Sequence, residues 1–133
     1  MVTINKRKCH VVADTRGKLV QVLSDKFLAE MNLTFGQIYF ISFEGAGVVR
    51  GNHYHLKQTE TFLVLHGIIK LELRHIETGE IYTEVISAHQ DLFFTYTFGP
   101  KILHTMTSFS PYALLLAHSD FVYDQHSNDK YFI

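Results

Sequence analysis

The sequence predicts an all-β fold, a jelly-roll antiparallel β-barrel with one short helix, and three features lead to it. Short runs rich in β-branched and aromatic residues recur along nearly the whole chain and are separated by turn residues. Only two prolines, Pro100 and Pro111, interrupt them. In the strongest run, Ile69-Lys70-Leu71-Glu72-Leu73-Arg74, apolar and charged side chains alternate strictly, so one face is core and the other wet.

Taken in order, strands are expected near 11–12, 19–23, 37–43, 48–53, 61–66, 69–74, 81–86, 92–97, 104–109 and 112–117. Ten short strands suit a jelly roll. The turn Glu77-Thr78-Gly79-Glu80 joins two of them as a hairpin. The exception to β patterning is 24–31, where Ser24 or Asp25 can cap a helical turn presenting Phe27, Leu28 and Met31. A polar tail over 125–130 reads as a free segment or one that lies on a partner.

At 133 residues the chain is read as a single domain spanning 1–133. Twelve basic residues balance thirteen acidic ones, so nothing in the overall charge draws a nucleic acid. Cys9 is the sole cysteine, which excludes an intrachain disulfide and suits a reducing compartment. No segment approaches the ~20 apolar residues of a membrane span, and the N-terminus lacks an apolar core of secretory length. No membrane partner and a cytoplasmic location are therefore expected.

Chemistry concentrates in one stretch. From Gly47 the chain runs GVVRGNHYHLKQTETFLVLHG, placing His53, His55, Glu60 and Gly67 at fixed intervals. Two histidines separated by one residue on a strand share a face, and Glu60 enters from the next strand. A later turn, Gly99-Pro100, leads to His104. Three imidazoles and a carboxylate can hold a divalent ion such as Zn or Fe, or can move protons. His10, His66, His75, His89, His118 and His126 fall outside that spacing and read as ordinary surface or core histidines.

The spacing from Gly47 to Gly67 resembles the first cupin motif at every spaced position, and Gly99 to His104 resembles the second more weakly, with Ser108 where asparagine is common. Arg50-Gly51-Asn52-His53-Tyr54-His55 resembles the signature of the WxcM-like cupins, the sugar-nucleotide 3,4-ketoisomerases. Asp14-Thr15-Arg16-Gly17, the tyrosine-bearing strand around Tyr39, the run 114–117 and Tyr123-Asp124 are similar to that family as well. The resemblance implies transfer of the keto group of a dTDP-4-keto-6-deoxyhexose from carbon 4 to carbon 3, for surface polysaccharide synthesis, in a homodimer with exchanged N-terminal strands. It implies His53 and His55 as proton shuttles, with Arg16, Tyr39, Arg50, Lys57 and His104 holding the nucleotide-sugar substrate, and no cofactor.

Tyr54 departs from the small residue usual between the histidines, and His-Tyr-His with Lys57 and 60–64 is also similar to the cupin half of bifunctional capsular-sugar reductase/epimerases. That second resemblance implies a metal at His53, His55, Glu60 and His104, and epimerisation at carbon 3. The standalone length and 14–17 favour the ketoisomerase. A non-catalytic nucleotide-sugar binding module is the alternative outside enzyme chemistry, and a metal-dependent oxygenase is a third.

On an ideal strand Arg50, three residues before His53, points to the opposite face unless Gly51 permits a bulge.

Overall fold

The computed structural model describes residues 4–88, 92–122 and 129–132. Among them the elements are β1 (Ile4–Lys8), β2 (His10–Asp14), β3 (Gly17–Gln21), α1 (Asp25–Glu30), β4 (Gln37–Phe43), β5 (Val49–His53), β6 (Glu60–His66), β7 (Ile68–His75), β8 (Ile81–Ser87), β9 (Phe94–Phe98), β10 (Ile102–Ser108) and β11 (Ala113–Ser119). A five-stranded sheet, β1-β9-β6-β11-β4, faces a four-stranded sheet, β5-β10-β7-β8, and β2 pairs with β3 alone. The named pairs are antiparallel, as the alternating pattern requires.

Alternation decides what lies between the sheets. Ile69, Leu71 and Leu73 of β7 are buried while Lys70, Glu72 and Arg74 between them are half-exposed. On β10 the inward set is Ile102, His104, Met106 and Ser108, so a histidine takes a core position. The core between the sheets gathers Phe43, Phe62, Leu71, Leu73, Tyr96, Phe98 and Leu115. Area removed from water on this scale, at ~25 cal/mol per Å², is the main stabilising term.

Among the described residues eleven strands stand where ten are expected. β1, with the sequence INKRK, has one apolar residue and no alternation, so its strand character comes wholly from its neighbour: it pairs with β9 from Ile4↔Phe98 to Lys8↔Phe94. Lys6 also bonds Glu84 at 3.0 Å and lies over the Phe94 ring. The helix is capped by Ser24, whose hydroxyl accepts from the Phe27 N–H at 3.1 Å, and it buries Phe27 and Leu28. Cys9 is a buried small residue between β1 and β2.

Gly67 makes the one-residue turn from β6 to β7. Its φ is +79°, and a Cβ there would stand 2.4 Å from the Tyr112 carbonyl oxygen, so only glycine fits. Among the described residues no helix is long and apolar enough to cross a membrane.

Candidate active site

The two sheets each contribute to one polar cluster. Glu60 opens β6 of the five-stranded sheet, while His53 closes β5 and His104 sits on β10, directly opposite His53 in the other sheet. His55 follows just past β5. The chain keeps its alternation there because Tyr54 bonds Tyr131 through both backbone groups, at 2.9 and 3.0 Å. The ring centroids lie 4.4 Å apart for His53 and His104, and 5.0 Å for His53 and His55.

Arg50 joins them through a bulge. His104 pairs with His53 but Thr105 pairs with Gly51, which leaves Asn52 as an extra residue. Gly51 (φ +84°) and Asn52 (φ +57°) take up the left-handed backbone that this requires. The reversal of facing that ideal strand geometry gives Arg50 is thereby cancelled. Arg50, His53, His55, Glu60, His104 and Tyr39 all line one cavity of about 440 Å³, within the size range of small-molecule sites.

Glu60 organises the floor. Only 2% of it is exposed, yet it carries a charge. Its Oε2 accepts the Tyr39 hydroxyl at 2.6 Å, and its Oε1 lies 2.8 Å from His55 Nε2 and 3.4 Å from His104 Nε2. The Oε1 contacts are off the line of a hydrogen bond, so this oxygen keeps an unfilled acceptor position. Burial acts to raise the Glu60 pKa, but the His55 contact and its neighbours outweigh it and hold the carboxyl down to about 2.

His55 faces an acceptor on each side, Glu60 at Nε2 and the Asp129 carbonyl at Nδ1. Burial acts to lower its pKa, yet these two partners outweigh burial and the net shift is upward, which favours the protonated ring. His53 goes the other way. Burial, then the neighbouring His104, drives its pKa down to about 4, leaving a neutral ring at pH 7. Burial also lowers His104, against the pull of Glu60. For the Tyr39 hydroxyl, burial and then the adjacent carboxylate push the pKa up, so it stays protonated and donates to Glu60.

Two expected site residues lie elsewhere. Arg16 is at the tip of the β2–β3 hairpin, 87% exposed, where its guanidinium grips Asp14 with Nη2 to Oδ2 at 2.6 Å. The Asp14-Thr15-Arg16-Gly17 stretch is thus a turn in which Asp14 also accepts the Arg16 N–H at 2.9 Å. Lys57 is exposed and does not line the cavity. Its backbone N–H is bonded by the Asp129 carboxylate.

The tail supplies residues that sequence reasoning missed. Asp129 accepts the N–H groups of Leu56, Lys57 and Gln58 at 2.9, 2.8 and 3.1 Å, and Tyr131 stacks on Tyr54. Segment 129–132 therefore lies along its own chain's site, and Asp129 and Lys130 line the cavity with Gln37, Phe40, Gln58, Phe121 and Val122. No spacing rule announces a contact across more than seventy residues of sequence. Residues 125–128 of the tail, His89, His126 and Tyr123-Asp124 lie outside the described residues.

The other described histidines stay apart from the cluster. His75 accepts the Glu77 N–H at 3.1 Å in a turn. His118 is buried with neither ring nitrogen bonded, outside the cavity.

The donor set fits a divalent ion. One ring nitrogen each from His53, His55 and His104 lies within 4.8 Å of the others, and the orphaned Glu60 Oε1 sits beside two of them. Ligation would require each ring nitrogen that holds the ion to be free of its proton.

This fold is that of the cupin-type sugar isomerases and epimerases. The chain belongs to the family described as Polysaccharide biosynthesis C-terminal domain, which it matches over residues 12–131. A 3,4-ketoisomerase from Thermoanaerobacterium thermosaccharolyticum, solved with TDP, superposes with a TM-score of 0.78 at 21% identity, covering 96% of this chain and 85% of that one. The dTDP-4-dehydrorhamnose 3,5-epimerase of Bacillus anthracis, solved with TDP and PPi, gives 0.82 at 17% identity, covering 96% and 76%. In sequence, a UDP-2-acetamido-2,6-beta-L-arabino-hexul-4-ose reductase of Pseudomonas aeruginosa is 37% identical over 70 residues, which is 53% of this chain. The match spans only 17% of that reductase.

Proposed function

We infer that the chain is an isomerase acting on a nucleotide-linked 4-keto-6-deoxy sugar, moving the keto group from carbon 4 to carbon 3 by histidine acid/base catalysis in surface polysaccharide biosynthesis. The observation that carries this reading is the contrast between neighbours. His53 is a neutral base, and His55, 5.0 Å away ring to ring, is shifted toward its protonated form by a buried carboxylate 2.8 Å from its Nε2.

In this reading His53 takes the proton from carbon 3, beside the carbon-4 carbonyl, and the electron pair moves to the carbonyl oxygen. His55 stabilises that oxygen's charge. The hydroxyl proton passes from the carbon-3 oxygen to the carbon-4 oxygen, and protonated His53 returns its proton to carbon 4. Atoms balance without a redox partner. A positioned base of this kind is worth ~10²–10⁴ in rate. Tyr39 acts by holding Glu60, and Arg50 binds charged oxygens of the substrate.

A second reading, a metal-dependent epimerase, is favoured by the orphaned Glu60 Oε1. His53, His55, Glu60 and His104 would hold the ion, Zn or Fe, which would polarise the sugar carbonyl.

We also place the protein in the cytoplasm as a single-domain homodimer. The feature supporting the homodimer is the β2–β3 hairpin, which among the described residues pairs only within itself and exposes Val12 and Leu19. Seated on a second copy, it would carry Arg16 toward that copy.

The test is incubation of metal-analysed protein with dTDP-4-keto-6-deoxyglucose, and separately with a UDP-linked 4-keto sugar, following products by NMR with and without chelator. A 3-keto product unaffected by chelator supports the isomerase. Chelator-sensitive exchange without keto transfer supports the metal epimerase, and saturable binding with no exchange supports a recognition module.

A further inference from the structure

The cavity carries two cations that no described carboxylate of the protein neutralises. Arg50 comes from β5 and Lys130 from the tail, and both line the space over the histidines. Among the described residues, no carboxylate pairs with either. The cavity's own acids are committed: Glu60 to His55 and Tyr39, and the Asp129 carboxylate to three backbone N–H groups. Lys130 stands near enough to the rings that its charge acts on both His53 and His104.

We propose that Lys130 and Arg50 form a two-sided clamp for the diphosphate of a nucleotide-linked substrate, so that segment 129–132 is part of the binding site. The inference rests on the nucleotide-sugar reading and deepens it. Uncompensated cations converging on one cavity favour a multiply charged anion, and guanidinium and ammonium groups both bind phosphate oxygens. Asp129 is the positioning residue. By fastening the tail to 56–58 it fixes the backbone that carries the next residue, Lys130. Lys130 thus takes the place that the sequence suggests for Lys57.

Isothermal titration of the intact protein with dTDP, inorganic pyrophosphate and thymidine tests this, using wild type, Lys130→Gln, Lys130→Arg and Arg50→Gln. Lys130 is exposed, so its substitution leaves folding intact. The expected result is dTDP binding weakened at least about tenfold by Lys130→Gln and by Arg50→Gln, restored by Lys130→Arg and weakening with added salt. If Lys130→Gln binds dTDP as tightly as wild type, the clamp is wrong and the nucleotide-sugar reading stands. Pyrophosphate bound in a Lys130-dependent way, with dTDP refused, supports the clamp and removes the nucleotide. Failure of the wild type to bind any of the three overturns both.

Discussion

His55 and Glu60 meet at 2.8 Å, Nε2 to Oε1, as a buried ion pair in which each side chain is less than a tenth exposed. Isolating either charge there is costly. Breaking such a pair by removing one partner costs ~3–5 kcal/mol. Glu60→Gln is therefore expected to lower the melting temperature substantially and to drop the His55 pKa, because burial then acts on the ring with its main counter-charge gone. Thermal melts and histidine-edited NMR read the two effects.

The neighbouring rings are expected to titrate in opposite directions. In ¹⁵N-histidine spectra His53 should remain neutral until the pH approaches about 4, while His55 stays protonated at pH values above the ordinary histidine midpoint. The rate should accordingly be flat from neutrality down through pH 6, then fall as His53 is protonated, and a midpoint near 6.5 would contradict the assignment.

Acid should destabilise the fold before its carboxylates protonate. His53, His104 and His118 all have folded pKa values below the ordinary 6.5, chiefly through burial. Their contribution is fully present above 6.5 and is lost as the pH falls toward about 4 for His53. Glu60, held down to about 2, gives stability above its ordinary 4.5 that is lost in stronger acid, and His55, raised, contributes most below 6.5 and partly opposes the loss. Urea midpoints should decline between pH 7 and pH 5. His118→Leu should flatten that decline, since neither ring nitrogen of His118 has a partner to lose.

Gly51→Ala should damage both the fold and the site. With φ at +84° and a new Cβ only 2.7 Å from the His104 carbonyl oxygen, the bulge cannot persist unchanged. Positive-φ strain costs ~1–3 kcal/mol before the clash is added. Loss of stability together with weakened substrate binding is expected, because the same bulge aims Arg50 and sets His53 opposite His104.

Much of this is legible in the sequence itself. The alternation of 69–74 placed β7, the Ser24 cap placed α1, and the spacing of His53, His55 and Glu60 brought three side chains to one cavity, because those signals are local. β1 was not legible, since INKRK becomes a strand only by pairing with β9. Arg50 depended on a bulge decided by the register with β10. Lys130 depended on a tail that returns to 54–58, and Lys57, at a familiar spacing, is not among the residues lining the cavity. Arg16, which resemblance put at the site, is spent on Asp14 at the hairpin tip within one chain.

The most direct measurement is the rate at which the carbon-3 proton of dTDP-4-keto-6-deoxyglucose is lost in D₂O, compared between wild type and His53→Asn at pH 7. We expect loss with wild type, slowed ~10²-fold or more in the variant, with His53→Asn still folded and still binding dTDP. Equal rates of loss with the two proteins would show that His53 is not the base.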